Sequence, residues 1–311
     1  MSLGRFAPSL LLASLFVVII GVVGEAKEYE VYFLGGQSNM EGFGRNDELP
    51  ADQQGEVAGV LIFHGNTSPD ATPVDGRGKW TVLRPGHGNG FATDGQIPRY
   101  SGTFGVELTL ARKLKELRPQ ANIAFIKYAR GGTSIDAAAA RNFGSWDPDY
   151  RGGEGEAKNV NQYDHALATI RNATAVSDID GDGQADTLKP MGIFWMQGES
   201  DGAIDEPVAK RYGANLKRLM ELLRAALRYD NIPVVVGRIS DSGKDGDGKV
   251  WDFGTIVREA QDAYCTADFR AAIVTSTDGY GYSDPWHYDT AGYLDLGKQF
   301  ADAWVKADAK K

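Results

Sequence analysis

Val31-Tyr-Phe-Leu-Gly-Gly-Gln-Ser-Asn-Met40 reads as a buried strand that stops abruptly and delivers a serine. Val31 to Leu34 is apolar and rich in β-formers, and Gly35-Gly36 ends the run. Ser38 is therefore expected at the carboxyl edge of a parallel sheet, where open α/β folds place their ligands. A serine hydroxyl is a weak nucleophile at neutral pH, so it needs a base, and the base needs an orienting group. Asp284-Pro-Trp-His287, near the far end of the chain, offers both.

Outward from that strand, apolar runs alternate with amphipathic segments. The runs are Tyr29 to Leu34, Gly59 to Phe63, Ile123 to Tyr128, Met191 to Met196, Ile232 to Ile239 and Ala271 to Val274. The helical patterns are Phe104 to Leu117, Pro207 to Leu227, Phe253 to Tyr264 and Asp289 to Val305. Such alternation predicts an α/β fold, a three-layer α/β/α sandwich around a central parallel sheet. Two Gly- and Pro-rich insertions, near 65–101 and 145–159, interrupt it; long loops are either functional or plain surface elaboration.

Residues 1–26 read as an export signal: Arg5, then an uncharged apolar stretch from Leu10 to Val23, then small residues for cleavage. The alternative is an uncleaved amino-terminal anchor. Residues 27–311 then form one domain, secreted or periplasmic. The formal net charge of -9 with no basic block argues against nucleic acid or anionic lipid as partner. Cys265 is the only cysteine, so no intrachain disulfide forms.

Four segments carry the chemistry: Gly36-Gln-Ser-Asn39, Ala129-Arg-Gly-Gly-Thr-Ser134, Trp195-Met-Gln-Gly-Glu-Ser-Asp201 and Asp284-Pro-Trp-His-Tyr288. Three follow predicted strands and the fourth precedes a helix, so all can converge on one sheet edge. In this order they resemble the SGNH hydrolase superfamily, and within it the carbohydrate esterases of the sialate O-acetylesterase and acetylxylan esterase type. The resemblance implies an SGNH or flavodoxin-like fold and removal of O-acetyl groups from an oligo- or polysaccharide, with no cofactor required. It implies Ser38 as nucleophile, His287 as base and Asp284 as its orienting carboxylate. The implied oxyanion donors are the Ser38 and Gly132 backbone N–H groups and the Gln197 side-chain amide. Gln37 and Asn39 flank the serine as candidates for substrate contact or support. Glu199 has three readings: to orient His287 in place of Asp284, to anchor the loop, or to bind a substrate hydroxyl. Arg130 is expected to pair with a local carboxylate, with an acidic sugar as the alternative. His64 is the main competitor to His287, while His165 reads as a core residue.

Asp178-Ile-Asp-Gly-Asp-Gly-Gln-Ala-Asp186 resembles the first nine positions of an EF-hand calcium loop, through Asp178, Asp180, Asp182, Gln184 and Asp186. Lys189 stands where the bidentate glutamate belongs, and the competing reading is an acidic Asp-Gly turn. Two rivals to the esterase remain: a carbohydrate-binding protein on the same scaffold, and a calcium-dependent hydrolase of phosphate or sulfate esters.

Overall fold

In the computed structural model the opening segment forms β1 (Glu28–Gly36), the middle strand of a seven-stranded sheet. Residue 1, residues 26–66, residues 75–152, residue 158 and residues 160–310 are described. The export-signal reading lies outside them save at its two ends, as do 67–74 in the first insertion and most of 153–159 in the second.

The other strands are β2 (Val60–His64), β3 (Trp80–Val82), β4 (Asn122–Ala129), β5 (Thr187–Met196), β6 (Val234–Gly237) and β7 (Ala271–Val274). Their spatial order is β7-β6-β5-β1-β4-β2-β3. Every neighbouring pair is parallel except β2 with β3. The parallel expectation holds for the six runs read from hydrophobicity, and the antiparallel edge comes from the first insertion. β3 was missed because it is three residues long and lacks a sustained apolar run.

The helices are α1 (Ser38–Glu41), α2 (Glu107–Leu117), α3 (Gln162–Thr174), α4 (Glu199–Gly202), α5 (Glu206–Ala226), α6 (Gly254–Ala267) and α7 (Thr290–Asp308). Asp205 and Asp289 cap α5 and α7 by accepting from Val208 N at 2.7 Å and Gly292 N at 2.8 Å. Each such cap is worth about 1 kcal/mol. α2 packs on α7, α5 on α6 and α3 on β4, completing three layers. Tyr32, Phe33, Leu34, Phe194, Trp195 and Val235 are fully buried along the central strands. Full burial of each large apolar side chain contributes about 1.5–3 kcal/mol.

β1 lies between β4 and β5, so the segments that follow those three strands emerge side by side. Gly36 makes this close packing possible: its φ is +146°, and a Cβ there would stand 2.0 Å from Met196 O. Beneath the edge lies a fully buried ion pair, in which Lys127 Nζ donates to Glu107 Oε2, Glu41 O and His87 O, each at 2.8 Å. All three ammonium hydrogens are thus placed, as burial of a charge demands.

Candidate active site

Ser38 opens α1 immediately beyond β1 and is 6% exposed. As the first residue of α1, its N–H has no intrahelical acceptor. Gly131 and Gly132, just past β4, line the same cavity, which has a volume of about 630 Å³. Gly132 has φ +73°, and a Cβ there would strike the Phe143 ring at 2.6 Å, so only glycine makes this turn without displacement.

His287 reaches the cavity from the loop before α7. Its Nδ1 lies 2.7 Å from Asp284 Oδ2, while Asp284 Oδ1 accepts from the N–H groups of Trp286 at 2.7 Å and His287 at 2.8 Å. Burial pushes the Asp284 carboxyl up, but hydrogen bonds from the His287 ring and these amides outweigh it and hold the group below the usual carboxylate range. An ionised Asp284 fixes the proton on Nδ1 and leaves Nε2 with its lone pair, the arrangement a general base requires. Phe43 stacks on the imidazole with centroids 3.7 Å apart and planes at 5°, which limits ring rotation.

Asn39 ties this loop to α1. Its Nδ2 donates to Glu199 Oε1 at 2.8 Å and to Trp286 O at 3.2 Å, and its Oδ1 accepts from Tyr293 Oη at 2.8 Å. Of the three Glu199 readings, the geometry favours an anchor, since Asp284 already holds His287. Glu199 is buried behind the site, where burial raises its pKa despite the Asn39 hydrogen bond. The Gln37 amide lines the cavity within 3.3 Å of Gly198 N and Ser200 N, and when rotated it donates to Thr133 O and Glu199 Oε2.

Gln197 does not stand where an oxyanion donor would. It is fully buried and absent from the cavity wall, and its amide donates to Asp201 Oδ2 at 2.6 Å and Thr133 O at 3.1 Å. Both amide hydrogens are therefore engaged behind the catalytic edge, bracing the turn after β5 against the Thr133 segment. Arg130 also lines the cavity; its charge acts on the Glu41 carboxylate, with no ion pair within 4.0 Å among the described residues.

His64 lines the cavity too, but its Nδ1 faces His87 Nδ1 at 3.4 Å, and no carboxylate among the described residues holds it. Burial, then the Lys127 charge, push its pKa well down. His165 is buried and stacked on Tyr128, as a core histidine should be. Sequence reasoning missed Glu41, Phe43, Asn89, Arg141, Trp251 and Trp286, all of which line the cavity. Only Trp286, inside the Asp-x-x-His segment, was flagged by its neighbours. The first insertion supplies Asn89 and Phe91 to this wall, so part of it lies at the candidate site.

Away from the site, Asp178, Asp180 and Asp186 bring carboxylate oxygens within 4.8 Å of one another. Lys27 Nζ bonds Asp180 and lies 2.7 Å from Asp182, and Asp178 accepts from the Gly181 and Gly183 N–H groups at 2.7 and 2.8 Å. Asp182 does not join the other three carboxylates.

Comparison with known proteins adds a second kind of observation. A family model described as "Carbohydrate esterase, sialic acid-specific acetylesterase" matches residues 28–306. A probable carbohydrate esterase of Arabidopsis thaliana is 31% identical over 116 residues, 36% of this chain, and the match spans only 39% of that relative's length. Among solved structures, an Arabidopsis thaliana protein aligns with a TM-score of 0.60 at 22% identity, covering 89% of this chain and 98% of that one. A carbohydrate acetylesterase from Xanthomonas citri aligns at 0.58 with 17% identity, covering 91% of this chain and 57% of that one. NanS aligns at 0.53 with 16% identity, covering 93% and 100%. Likenesses at these identities show the fold.

Proposed function

The chain belongs to the family of carbohydrate esterases described as sialic acid-specific acetylesterases, and from that premise we propose that it removes O-acetyl groups from an acidic carbohydrate through an acyl-enzyme on Ser38. The observation that carries the mechanism is the Asp284–His287 pair, 2.7 Å apart, opening into the cavity that Ser38 and the Gly131-Gly132 turn also line.

In this reading Ser38 Oγ attacks the acetyl carbonyl while His287 Nε2 takes its proton. The negative charge that develops on the carbonyl oxygen is met by the Ser38 and Gly132 N–H groups, each worth about 3 kcal/mol when aimed at that oxygen. As the C–O bond to the sugar breaks, His287 returns the proton to the departing hydroxyl. Water then repeats the sequence on the acyl-serine: His287 accepts a water proton, acetate leaves, and the proton goes back to Ser38 Oγ. Asp284 stays ionised throughout and stabilises the imidazolium.

Two guanidinium groups support the acidic substrate. Arg130 and Arg141 both line the cavity, and neither forms an ion pair with a carboxylate among the described residues. Burial lowers the pKa of Arg141 against the opposing charge of Asp201; its guanidinium donates to the neutral Ser200 Oγ at 3.3 Å and lies over the Phe143 ring. A substrate carboxylate could pair with one of them, the two together favouring an anionic sugar. Acetate release from O-acetylated sialic acids, pectin and xylan tests this, since a preference for neutral xylan rejects the acidic-sugar reading. Ser38→Ala should abolish hydrolysis of an activated acetate ester with the fold intact, and retained activity rejects the mechanism. A fluorophosphonate probe should label Ser38, whereas a binding protein on this scaffold would not react.

Export belongs to the same reading, because acetylated polysaccharides lie outside the cell. Among the described residues no helix is long and apolar enough to cross a membrane. Calcium is proposed as a structural ion remote from catalysis, held by Asp178, Asp180 and Asp186 with Gln184 as a further candidate, and it would displace the Lys27 ammonium. Calorimetric titration of metal-stripped protein with calcium checks it, and absence of both heat and thermal shift rejects it.

A further inference from the structure

We propose that Glu41 is a positioning residue for the reaction: its carboxylate clamps the Gly131-Gly132 turn against Ser38 and ties that turn to the first insertion. This rests on the acyl-enzyme reading, because the turn matters only if Gly132 N–H meets an oxyanion.

Glu41 is the last residue of α1, three positions beyond Ser38, so the two share one helix face. Glu41 Oε2 accepts the Gly131 N–H at 2.8 Å, and Oε1 accepts Asn89 Nδ2 at 2.8 Å. The helix end that carries it is itself held, since Glu41 O accepts from Lys127 Nζ at 2.8 Å and Lys127 is locked by buried Glu107. The carboxylate thus bridges two loops from a rigid base.

The turn passes the nucleophile at contact distance. A Cβ on Gly131 would lie 3.2 Å from Glu41 Oε2 and 3.3 Å from Ser38 Cβ. Glu41 also settles which glycine can serve as donor. The Gly131 N–H is already given to the carboxylate, so it is not available to a substrate. The next N–H, on Gly132 in its left-handed conformation, has no acceptor among the described residues. An accepted hydrogen bond at position 131 therefore fixes the plane from which the Gly132 N–H points. With that bond gone, the two-glycine turn has few restraints, and an oxyanion donor loses strength quickly as it drifts from 2.7–3.1 Å. Both carboxylate oxygens have protein partners, which argues for support rather than proton transfer.

The test compares Glu41→Leu, which fills part of the same space but accepts nothing, with Glu41→Gln, which is isosteric and whose amide oxygen can still accept the Gly131 N–H. On an activated acetate ester, Glu41→Leu should lower kcat by roughly 10- to 100-fold with KM within about threefold, and Glu41→Gln should recover most of the loss. Binding of methylboronic acid, which forms a tetrahedral adduct on the serine, should weaken in parallel with kcat for the leucine variant. Equal loss in both variants, no loss in either, or a change confined to KM overturns the proposal. If Glu41→Leu does not fold, Glu41→Ala takes its place under the same criteria. Failure of both to fold makes Glu41 a folding residue and also overturns it. Ser38→Ala is measured alongside. Activity retained there defeats the acyl-enzyme reading, whereas an inactive Ser38→Ala beside a fully active Glu41→Leu defeats only the clamp.

Discussion

Asp284 works through a single imidazole, and its effect can be separated from the rest of the site. Its carboxylate accepts two backbone N–H groups on one oxygen and the His287 ring on the other. Asp284→Asn keeps an oxygen for the backbone but turns an NH2 toward Nδ1, which favours the wrong tautomer. The expected fall in kcat is of order 10⁴-fold with little change in melting temperature, by analogy with the same substitution in serine proteases. A fall below tenfold would show that another group orients His287. Ser38, Asp284 and His287 were legible only through the four ordered segments and the resemblance they carry, because each residue alone has commoner uses. The resemblance misled at Gln197, because a sequence shows that an amide is near a site but not what it is already bonded to. Gln197 proves to be spent on Asp201 and Thr133, whereas the Arg130 charge does act on a local carboxylate, that of Glu41.

At the scale of elements, the six parallel strands were readable because buried strands are short, apolar and β-branched, and their ends moved by only a few residues. The Ile232 run shortens to Val234–Gly237 because Pro233 has no N–H to give a ladder; its carbonyl instead accepts from Ile193 N at 2.9 Å. The predicted start of α2 at Phe104 gives way to Glu107, since Thr103–Phe104 pairs with Gly44–Arg45 in a small antiparallel sheet. What no hydrophobic pattern reveals is the Lys127–Glu107 pair, a charge in the middle of a buried strand meeting one on α2. That pair joins β4, α2, the end of α1 and the first insertion, so it supports the catalytic edge from below. Lys127→Met leaves Glu107 buried and uncompensated, and should cost about 3–5 kcal/mol. The double variant Lys127→Met with Glu107→Leu should recover much of that loss. Equal destabilisation of single and double variants in urea melts would show that the ammonium's bonds to Glu41 O and His87 O, not charge pairing, dominate.

Over the whole molecule, buried titratable groups of opposite behaviour set how stability responds to pH. Burial, followed by the charges of Lys127 and Arg84, pushes His87 down to about 3, and His64 is lowered well below 6.5 by burial and Lys127. In the unfolded chain both rings gain protons near 6.5, so their stabilising contribution is full above that pH and is lost as pH falls. Asp201 acts in reverse. Burial raises it from 3.8 to about 7, against hydrogen bonds from Gln197 and the Ile135 and Asp136 amides. Folded protein then keeps a proton that the unfolded chain has released, so this contribution grows as pH falls from about 7 toward 4. Burial raises Glu41 and Glu199 in the same sense. Between pH 7 and 5, His87→Gln should therefore gain on the wild type as the solution is acidified, by up to about 1.4 kcal/mol per pH unit. Asp201→Asn should lose ground over the same range. Denaturant melts of the three proteins at half-unit intervals decide the matter. Difference curves that run parallel to the pH axis would mean that neither group changes its proton occupancy on folding, and the opposed slopes would have to be abandoned.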